Sequence, residues 1–288
     1  MAVIAWIGAG KMGLPVCKRL KEAGHDVRVL ARSPERDAAL KTEGFATAST
    51  VSTLIKDADI IFTCVSDDKA LANVLLSEGF GASAPRGATL IDMSTVSPTI
   101  SAEVANKLPA GMAYLRAPVS GSTAMASAGT LTALVSGPEQ AFTAMAPVFA
   151  AFTKKAFHLG TGEEARVLKL VINSLVAATS ALLGEALAVG LKGGLDNAAM
   201  LEVINQSAVA SPLIGYKTAM ITKGDYAPAA TLTMLMKDVE LFLAAGRETG
   251  VALPLNGLIG DIYKGAAARG LGEQDFFVLV REAAARAS

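Results

Sequence analysis

Short apolar runs alternate with helix-patterned stretches over the first 160 residues. Runs at 3–7, 27–31, 60–65, 89–92, 113–115 and 131–136 read as strands. Between them, 12–22, 34–42, 69–76 and 101–107 carry helical spacing, and Ser33 with Pro34 forms an N-cap and first turn. Strands alternating with helices imply a mostly parallel sheet with crossover connections. Val-Ile-Ala-Trp-Ile and Ile-Ile-Phe-Thr-Cys-Val are apolar almost throughout, as expected of strands covered on both faces.

Beyond residue 160 the strand signal fades. Stretches 163–192, 197–206, 234–249 and 255–269 are helical in pattern, a last helix starts near 274, and breaks fall at Gly193-Gly194, Ser211-Pro212 and Pro254. An α/β domain over residues 1–161 followed by an all-helical domain over 162–288 is therefore expected. The long helix opens at their junction, a place where ligands commonly bind.

Composition narrows the function classes. With 52% hydrophobic and 18% charged residues the chain is globular, and 26 basic against 26 acidic residues argue against nucleic acid or an anionic membrane as the main partner. Cys17 and Cys64 lack metal-ligand spacing and there are only two histidines, so no metal site and no disulfide framework are expected. A strand starts at once without a signal-peptide pattern, which points to the cytoplasm. The apolar run at 170–184 is short of the roughly 20 residues of a membrane span, and Glu185 interrupts it. The apolar C-terminal helices suggest self-association, as a homodimer or homotetramer.

Gly8-Ala-Gly10-Lys11-Met12-Gly13 follows the first strand and opens a helix. Gly8 suits the tight turn, Gly10 a close approach of backbone to a pyrophosphate, and Gly13 close helix–strand packing; the helix N-terminus offers N–H groups to the phosphates. In this context the motif predicts a Rossmann-type doubly wound sheet that binds a dinucleotide. The second strand ends in Ala31-Arg32-Ser33, with Arg36 nearby and no carboxylate before Glu35. Guanidinium and hydroxyl suit a 2′-phosphate, so NADP is expected, with NAD possible. Val65-Ser66 and Ser94-Thr95 follow later strands, where ribose or nicotinamide would be met.

Lys169 is the only charged residue in 167–184. A lysine near a helix start commonly snorkels its head to water. Asn173, however, shares its helical face, since four residues turn a helix by about 400°. Ser120-Gly121-Ser122 offers hydroxyls and N–H donors for a carboxylate, and with Lys169 and Asn173 it completes an anion cradle, a proton donor and an orienting amide.

In this order the chain resembles the β-hydroxyacid dehydrogenase family, which includes 3-hydroxyisobutyrate dehydrogenases, tartronate semialdehyde reductases and glyoxylate/succinic semialdehyde reductases. The matching elements are Ile7-Gly-Ala-Gly-Lys-Met-Gly-Leu-Pro15, Ala23-Gly-His-Asp-Val27, Asp92-Met-Ser-Thr95, Ala117-Pro-Val-Ser-Gly121 and Gly129-Thr-Leu131. They continue with Lys169-Leu-Val-Ile-Asn173, Glu185-Ala-Leu187, Gly194-Leu-Asp196 and Lys237-Asp238. The resemblance implies Lys169 as general acid in carbonyl reduction and base in reverse. It places Asn173, Ser94, Ser120, Gly121 and Ser122 at the substrate, Thr95 near the nicotinamide, Lys237 over the cofactor, and Asp238 in closure of the site.

Ser120-Gly-Ser122, Ser207-Ala-Val-Ala-Ser-Pro-Leu213 and Arg32-Ser33 look most like the glyoxylate/succinic semialdehyde reductases, which implies NADPH-dependent reduction of small carboxylated aldehydes. The alternative is an NAD-dependent 3-hydroxyisobutyrate or tartronate semialdehyde type; a different class is a nucleotide-sensing scaffold without catalysis. Two positions depart from the family pattern. Arg116 stands where an acid is common, and Ala230 where glyoxylate reductases have a pocket Phe, which would admit a larger semialdehyde. Lysine at 169 argues against the related imine reductases.

Overall fold

The computed structural model describes residues 1–287. Two compact units divide within one helix, Met1–Lys169 and Leu170–Ser288.

In the first unit, β1 (Val3–Ile7), α1 (Gly13–Glu22), β2 (Asp26–Leu30), α2 (Pro34–Thr42), β3 (Ala46–Ala48) and α3 (Val51–Ile55) lead the chain. Then come β4 (Ile60–Thr63), α4 (Asp68–Leu75), α5 (Glu78–Ser83), β5 (Thr89–Asp92), α6 (Pro98–Lys107) and β6 (Ala113–Arg116). The six strands form a parallel sheet in the order β3-β2-β1-β4-β5-β6. Order reverses between β1 and β4, the switch point at whose strand C-termini such sheets bind ligands.

Side-chain alternation builds a core on each face. Ile4 and Trp6 of β1 join Val29, Phe62 and Leu115 on one side, and Trp6 stacks on Phe62 with ring centroids 4.8 Å apart. Ala5 and Ile7 join Leu30, Ile61 and Leu90 on the other. This is the two-sided burial read from the apolar strands.

The run at 131–136 does not extend that sheet. It becomes β8 (Leu131–Val135) of a separate three-stranded sheet, antiparallel to β7 (Val119–Ser120) and parallel to β9 (Thr153–His158). Two further helices, α7 (Thr123–Ala128) and α8 (Glu139–Ala150), connect these strands. Strand β9 has no counterpart in the sequence reading, because Lys154 and Lys155 are exposed on an edge and break the apolar run.

The long helix α9 (Glu164–Lys192) precedes α10 (Asn197–Ile204), α11 (Pro212–Lys223), α12 (Leu232–Thr249), α13 (Pro254–Ala266) and α14 (Val278–Ala287). Ser211-Pro212, expected as a break, instead starts α11: the Ser211 hydroxyl accepts from the Ile214 N–H and Pro212 occupies the first turn. The same chemistry at Ser33-Pro34 starts α2 as expected. The last helix starts at Val278, not 274, because Asp275 is buried in a turn and accepts from Lys217 Nζ at 2.6 Å and the Phe277 N–H at 3.1 Å. With 29 residues, α9 is long and apolar enough to cross a membrane by length and composition alone, although 44% of its apolar window is buried inside the protein.

All four tyrosines are held above the ordinary phenol value, with burial the main cause. For Tyr114 burial and the neighbouring Asp92 push it up to about 12, against the opposing pull of Arg166. An unfolded chain loses phenolic protons near pH 10, before the folded one does, so stability is full below about pH 10 and falls as the pH rises toward the folded values. Native tyrosinate absorbance should therefore lag that of the denatured chain, and the urea midpoint should fall over the same interval. Superimposable titrations of native and denatured protein would contradict this.

Candidate cofactor and active site

The glycine loop is shaped by contacts that admit no side chain. Gly8 has φ +100°, and a Cβ there would lie 2.1 Å from the Cys64 carbonyl oxygen; one on Gly13 would lie 2.4 Å from the Gly8 carbonyl and 3.0 Å from Trp6 Nε1. A Cβ on Gly10 would meet nothing within 4 Å, and the residue is exposed. Gly8 and Gly13 thus set the turn and the packing, while Gly10 leaves open backbone at the N-terminus of α1, a fit for a pyrophosphate. Lys11 is exposed and Met12 takes the N-cap position of α1. At the end of β2, Arg32 and Ser33 are exposed, and Arg36 donates to the Ala9 carbonyl inside the glycine loop. Two cations and a hydroxyl therefore stand at the end of β2, one of the cations bound to the glycine loop.

The ends of β4 and β5 are tied together by Asp92, which is fully buried. Asp92 Oδ1 accepts from Thr63 Oγ1 at 2.7 Å and from the Ser94 N–H at 2.9 Å; Oδ2 pairs with Arg166 Nη2 at 2.5 Å. Arg166 also donates through Nη1 to the Ser94 carbonyl at 2.6 Å, through Nη2 to Tyr114 Oη at 3.0 Å, and through Nε to Ser101 Oγ at 3.2 Å. Burial works against its charge, yet Asp92, Tyr114 and Glu163 more than offset that and hold the guanidinium above its ordinary value. Ser94, expected at the substrate, is 1% exposed and its hydroxyl accepts from the Val65 N–H at 2.9 Å. It thereby braces the two loops. Val65 and Thr95 remain half-buried and Ser66 exposed, at the strand ends nearest the glycine loop.

Ser120, Gly121 and Ser122 form the turn out of β7. Gly121 has φ +137°, and a Cβ there would lie 2.7 Å from Leu131 Cδ2, so the turn requires glycine. The Ser122 hydroxyl caps α7 through the Met125 N–H at 3.3 Å, while Ser120 is half-buried and pairs with Thr132.

Lys169 lies in the second turn of α9, half-buried, and Asn173 follows one turn later, 7% exposed. In the second unit, Asn173 Nδ2 donates to Asp238 Oδ2 at 2.6 Å, and Lys237 Nζ pairs with Asp238 Oδ1 at 3.0 Å. Asp238 thus orients the Asn173 amide and gathers Lys237 at the same carboxylate. Ala230 is half-buried, and its carbonyl accepts from the Phe276 N–H at 3.3 Å.

Arg116 is 7% exposed, lies over the Tyr114 ring at 4.3 Å and pairs with Glu163 at 2.5 Å. Its departure from the family pattern is absorbed by an internal acid. Sequence reasoning did not single out Asp92 as a site residue or see Arg166 at all. The available signal was an acid closing the apolar strand Thr89–Asp92, with an arginine three positions before Lys169.

Residues 3–160 match the family model described as the NAD binding domain of 6-phosphogluconate dehydrogenase, and residues 162–283 the one described as NAD-binding of NADP-dependent 3-hydroxyisobutyrate dehydrogenase. The chain is 33% identical over 282 residues to the 2-(hydroxymethyl)glutarate dehydrogenase of Eubacterium barkeri, covering 96% of this chain and 93% of the relative. It is 28% identical over 281 residues to the chloroplastic glyoxylate/succinic semialdehyde reductase 2 of Arabidopsis thaliana, covering 96% and 78%. The 3-hydroxyisobutyrate dehydrogenase of Mycobacterium tuberculosis, solved with L-serine, superposes with a TM-score of 0.86 at 27% identity, covering 98% and 99%. With an open glycine loop on a doubly wound sheet and a helical second unit, the chain belongs to the β-hydroxyacid dehydrogenase family. It is an NAD(P)-dependent oxidoreductase acting on CH–OH groups.

The two glycine roles separate experimentally. Gly13→Ala should cost roughly 1–3 kcal/mol of stability, because neither the Gly8 carbonyl nor Trp6 can give way. Gly10→Ala should unfold at the native urea midpoint yet weaken NADPH binding about tenfold or more, its methyl standing where the phosphates approach. Fluorescence titration and urea melts read both; an unchanged NADPH affinity in Gly10→Ala would remove that loop from the cofactor site.

Proposed function

We propose that this chain reduces small carboxylated aldehydes of the glyoxylate and succinic semialdehyde type, using NADPH and Lys169 as the general acid. The observation that carries the reading is the Lys169–Asn173 pair on successive turns of α9, with the amide oriented by Asp238. The preference for NADPH rests on exposed Arg32 and Ser33, with Arg36 at the glycine loop, and on the absence of a carboxylate at the end of β2. Residues 1–161 hold the cofactor, through Gly8, Gly10, Lys11, Met12, Gly13, Val65, Ser66 and Thr95, and 162–288 serve the substrate and self-association; the family resemblance assigns Lys237 to the cofactor as well.

NADPH, held by the glycine loop, would supply hydride for the carbonyl carbon. Lys169 Nζ delivers a proton to the carbonyl oxygen and recovers one from water, so aldehyde, hydride and proton give the alcohol. As an ammonium it also steadies charge building on that oxygen. Ser120, Gly121 and Ser122 hold the carboxylate by hydroxyl and N–H groups, and Asn173 orients the substrate. A second reading, oxidation of a hydroxymethyl acid of the 3-hydroxyisobutyrate or tartronate type with NAD, is favoured by the 33% identity to a 2-(hydroxymethyl)glutarate dehydrogenase. The protein acts in the cytoplasm as a homodimer or homotetramer; Val171, Leu175, Leu182 and Val189, all exposed along α9, support the self-association.

The decisive assay offers glyoxylate, succinic semialdehyde, tartronate semialdehyde and methylmalonate semialdehyde with NADPH and with NADH. Glyoxylate or succinic semialdehyde with NADPH should be fastest; equal low rates on all four, or a preference for NADH, would refute the assignment. Lys169→Ala should keep NADPH binding and lower kcat by about 10²–10⁴-fold. A loss of only a few-fold would take the proton-donor role from Lys169. Arg32→Ala should erode the preference for NADPH by about tenfold, read as the ratio of kcat/KM for the two cofactors.

A further inference from the structure

We propose that two crossed ion pairs, Asp92–Arg166 and Arg116–Glu163, form a clamp that positions Lys169 against the loop carrying Thr95. Arg166 acts through it as a positioning residue. The inference rests on Lys169 being the proton donor.

Asp92 and Arg116 are register partners on β5 and β6, so an acid and a base stand side by side at the end of the sheet. Glu163 and Arg166, three residues apart at the start of α9, meet them with the opposite charges: Arg166 on Asp92 at 2.5 Å and Glu163 on Arg116 at 2.5 Å. A shift of the helix start along the strand ends would bring like charges together, so the crossed pattern admits one placement. Arg116 is therefore half of a matched set with Glu163.

The inner pair does more than neutralise charge. A guanidinium is a planar fork, and binding at several of its nitrogens fixes orientation as well as distance. Arg166 uses Nε, Nη1 and Nη2, on Ser101, the Ser94 carbonyl, Asp92 and Tyr114. The other oxygen of Asp92 holds the Ser94 N–H, so one carboxylate dictates both the path of the loop and the seat of the helix. Lys169 follows Arg166 by three residues, about 4.5 Å along the helix axis, so a displacement of the first turn reaches it undamped. The residues that meet Arg166 through β5, α6 and β6 are Asp92, Ser94, Ser101 and Tyr114. A purely stabilising role would not require the fork to grip the loop that leads to Thr95.

The test compares Arg166→Met, Arg166→Lys and Lys169→Ala with the native chain on whichever aldehyde it turns over fastest. Arg166→Met and Arg166→Lys should bind NADPH and show KM within about threefold of native, while kcat falls about a hundredfold, as expected when a reacting group is displaced by about an ångström. Arg166→Lys keeps the charge opposite Asp92 but loses the fork, and it decides the matter if Arg166→Met fails to fold. Either folded variant at native kcat overturns the clamp's role when Lys169→Ala is inactive. If Lys169→Ala itself retains native kcat, the proton-donor assignment falls and this inference falls with it.

Discussion

An ionised carboxylate without access to water must be matched bond for bond by the protein, and Asp92 meets that demand at 0% exposure. Its partners come from four directions: Thr63 on β4, the backbone of Ser94, Tyr114 on β6, and Arg166 on α9. Removing one member of such a buried pair commonly costs about 3–5 kcal/mol, whereas replacing both by apolar groups is often neutral. Stability alone is therefore a weak reason for the pair. What it adds is geometry, because it sits where β4 and β5 end, beside the glycine loop that β1 leads into, and fixes loops that apolar packing would leave free to slide.

The helical unit solves a related problem in the same currency. Lys217 and Asp275 are 3% and 0% exposed and meet at 2.6 Å, with the ammonium 4.9 Å from the Phe276 ring centre and 5.5 Å from that of Phe277. Asp275 also accepts from the N–H groups of Ala229 and Phe277, and its own N–H donates to the Tyr226 carbonyl. These backbone groups lie outside helices and have no ladder to satisfy them, so a buried carboxylate takes that place. In each unit a dry ion pair sits where the backbone is irregular. Segment 225–231, which leads into the helix bearing Lys237 and Asp238, is held in this way.

Five strands of the parallel sheet were legible because they are short, apolar and two-sided, while the edge strand β3, Ala-Thr-Ala, was not; the glycine loop was legible because steric exclusion at Gly8 and Gly13 leaves a mark in sequence. Strand β9 was not legible, since an edge strand carrying Lys154 and Lys155 breaks the alternation on which such readings depend. The start of α11 was visible in principle: Ser211-Pro212 carries the signal that was recognised at Ser33-Pro34, but there it was read as a break. Arg166 was hidden for another reason. Its partners are 52 to 74 residues away in the chain, so the acid that closes β5 and the arginine before Lys169 were each visible but nothing local joined them. The Ser94 contact to the Val65 N–H was not legible either, because residue type does not show where a hydroxyl turns.

The polar side chains of α9 show why its charges need an explanation of their own. Ser174 and Thr179 each bond back to a carbonyl of the same helix, at Val171 and Leu175, whereas Ser180 meets both the Ala177 carbonyl and Tyr263 Oη. Hydroxyls of the first kind satisfy themselves locally and permit an apolar helix to carry them at little cost. Arg166 and Asn173 do the reverse, spending their donors on residues far along the chain, Asp92 and Asp238. Snorkelling, the plain explanation for a lone lysine near a helix start, would need no company. Lys169 instead stands between two residues whose donors are committed elsewhere in the fold, three positions after one and four before the other. A helix that holds Arg166 and Asn173 by distant carboxylates has its first turns fixed in place, the rigidity that the proton donor proposed at Lys169 would need.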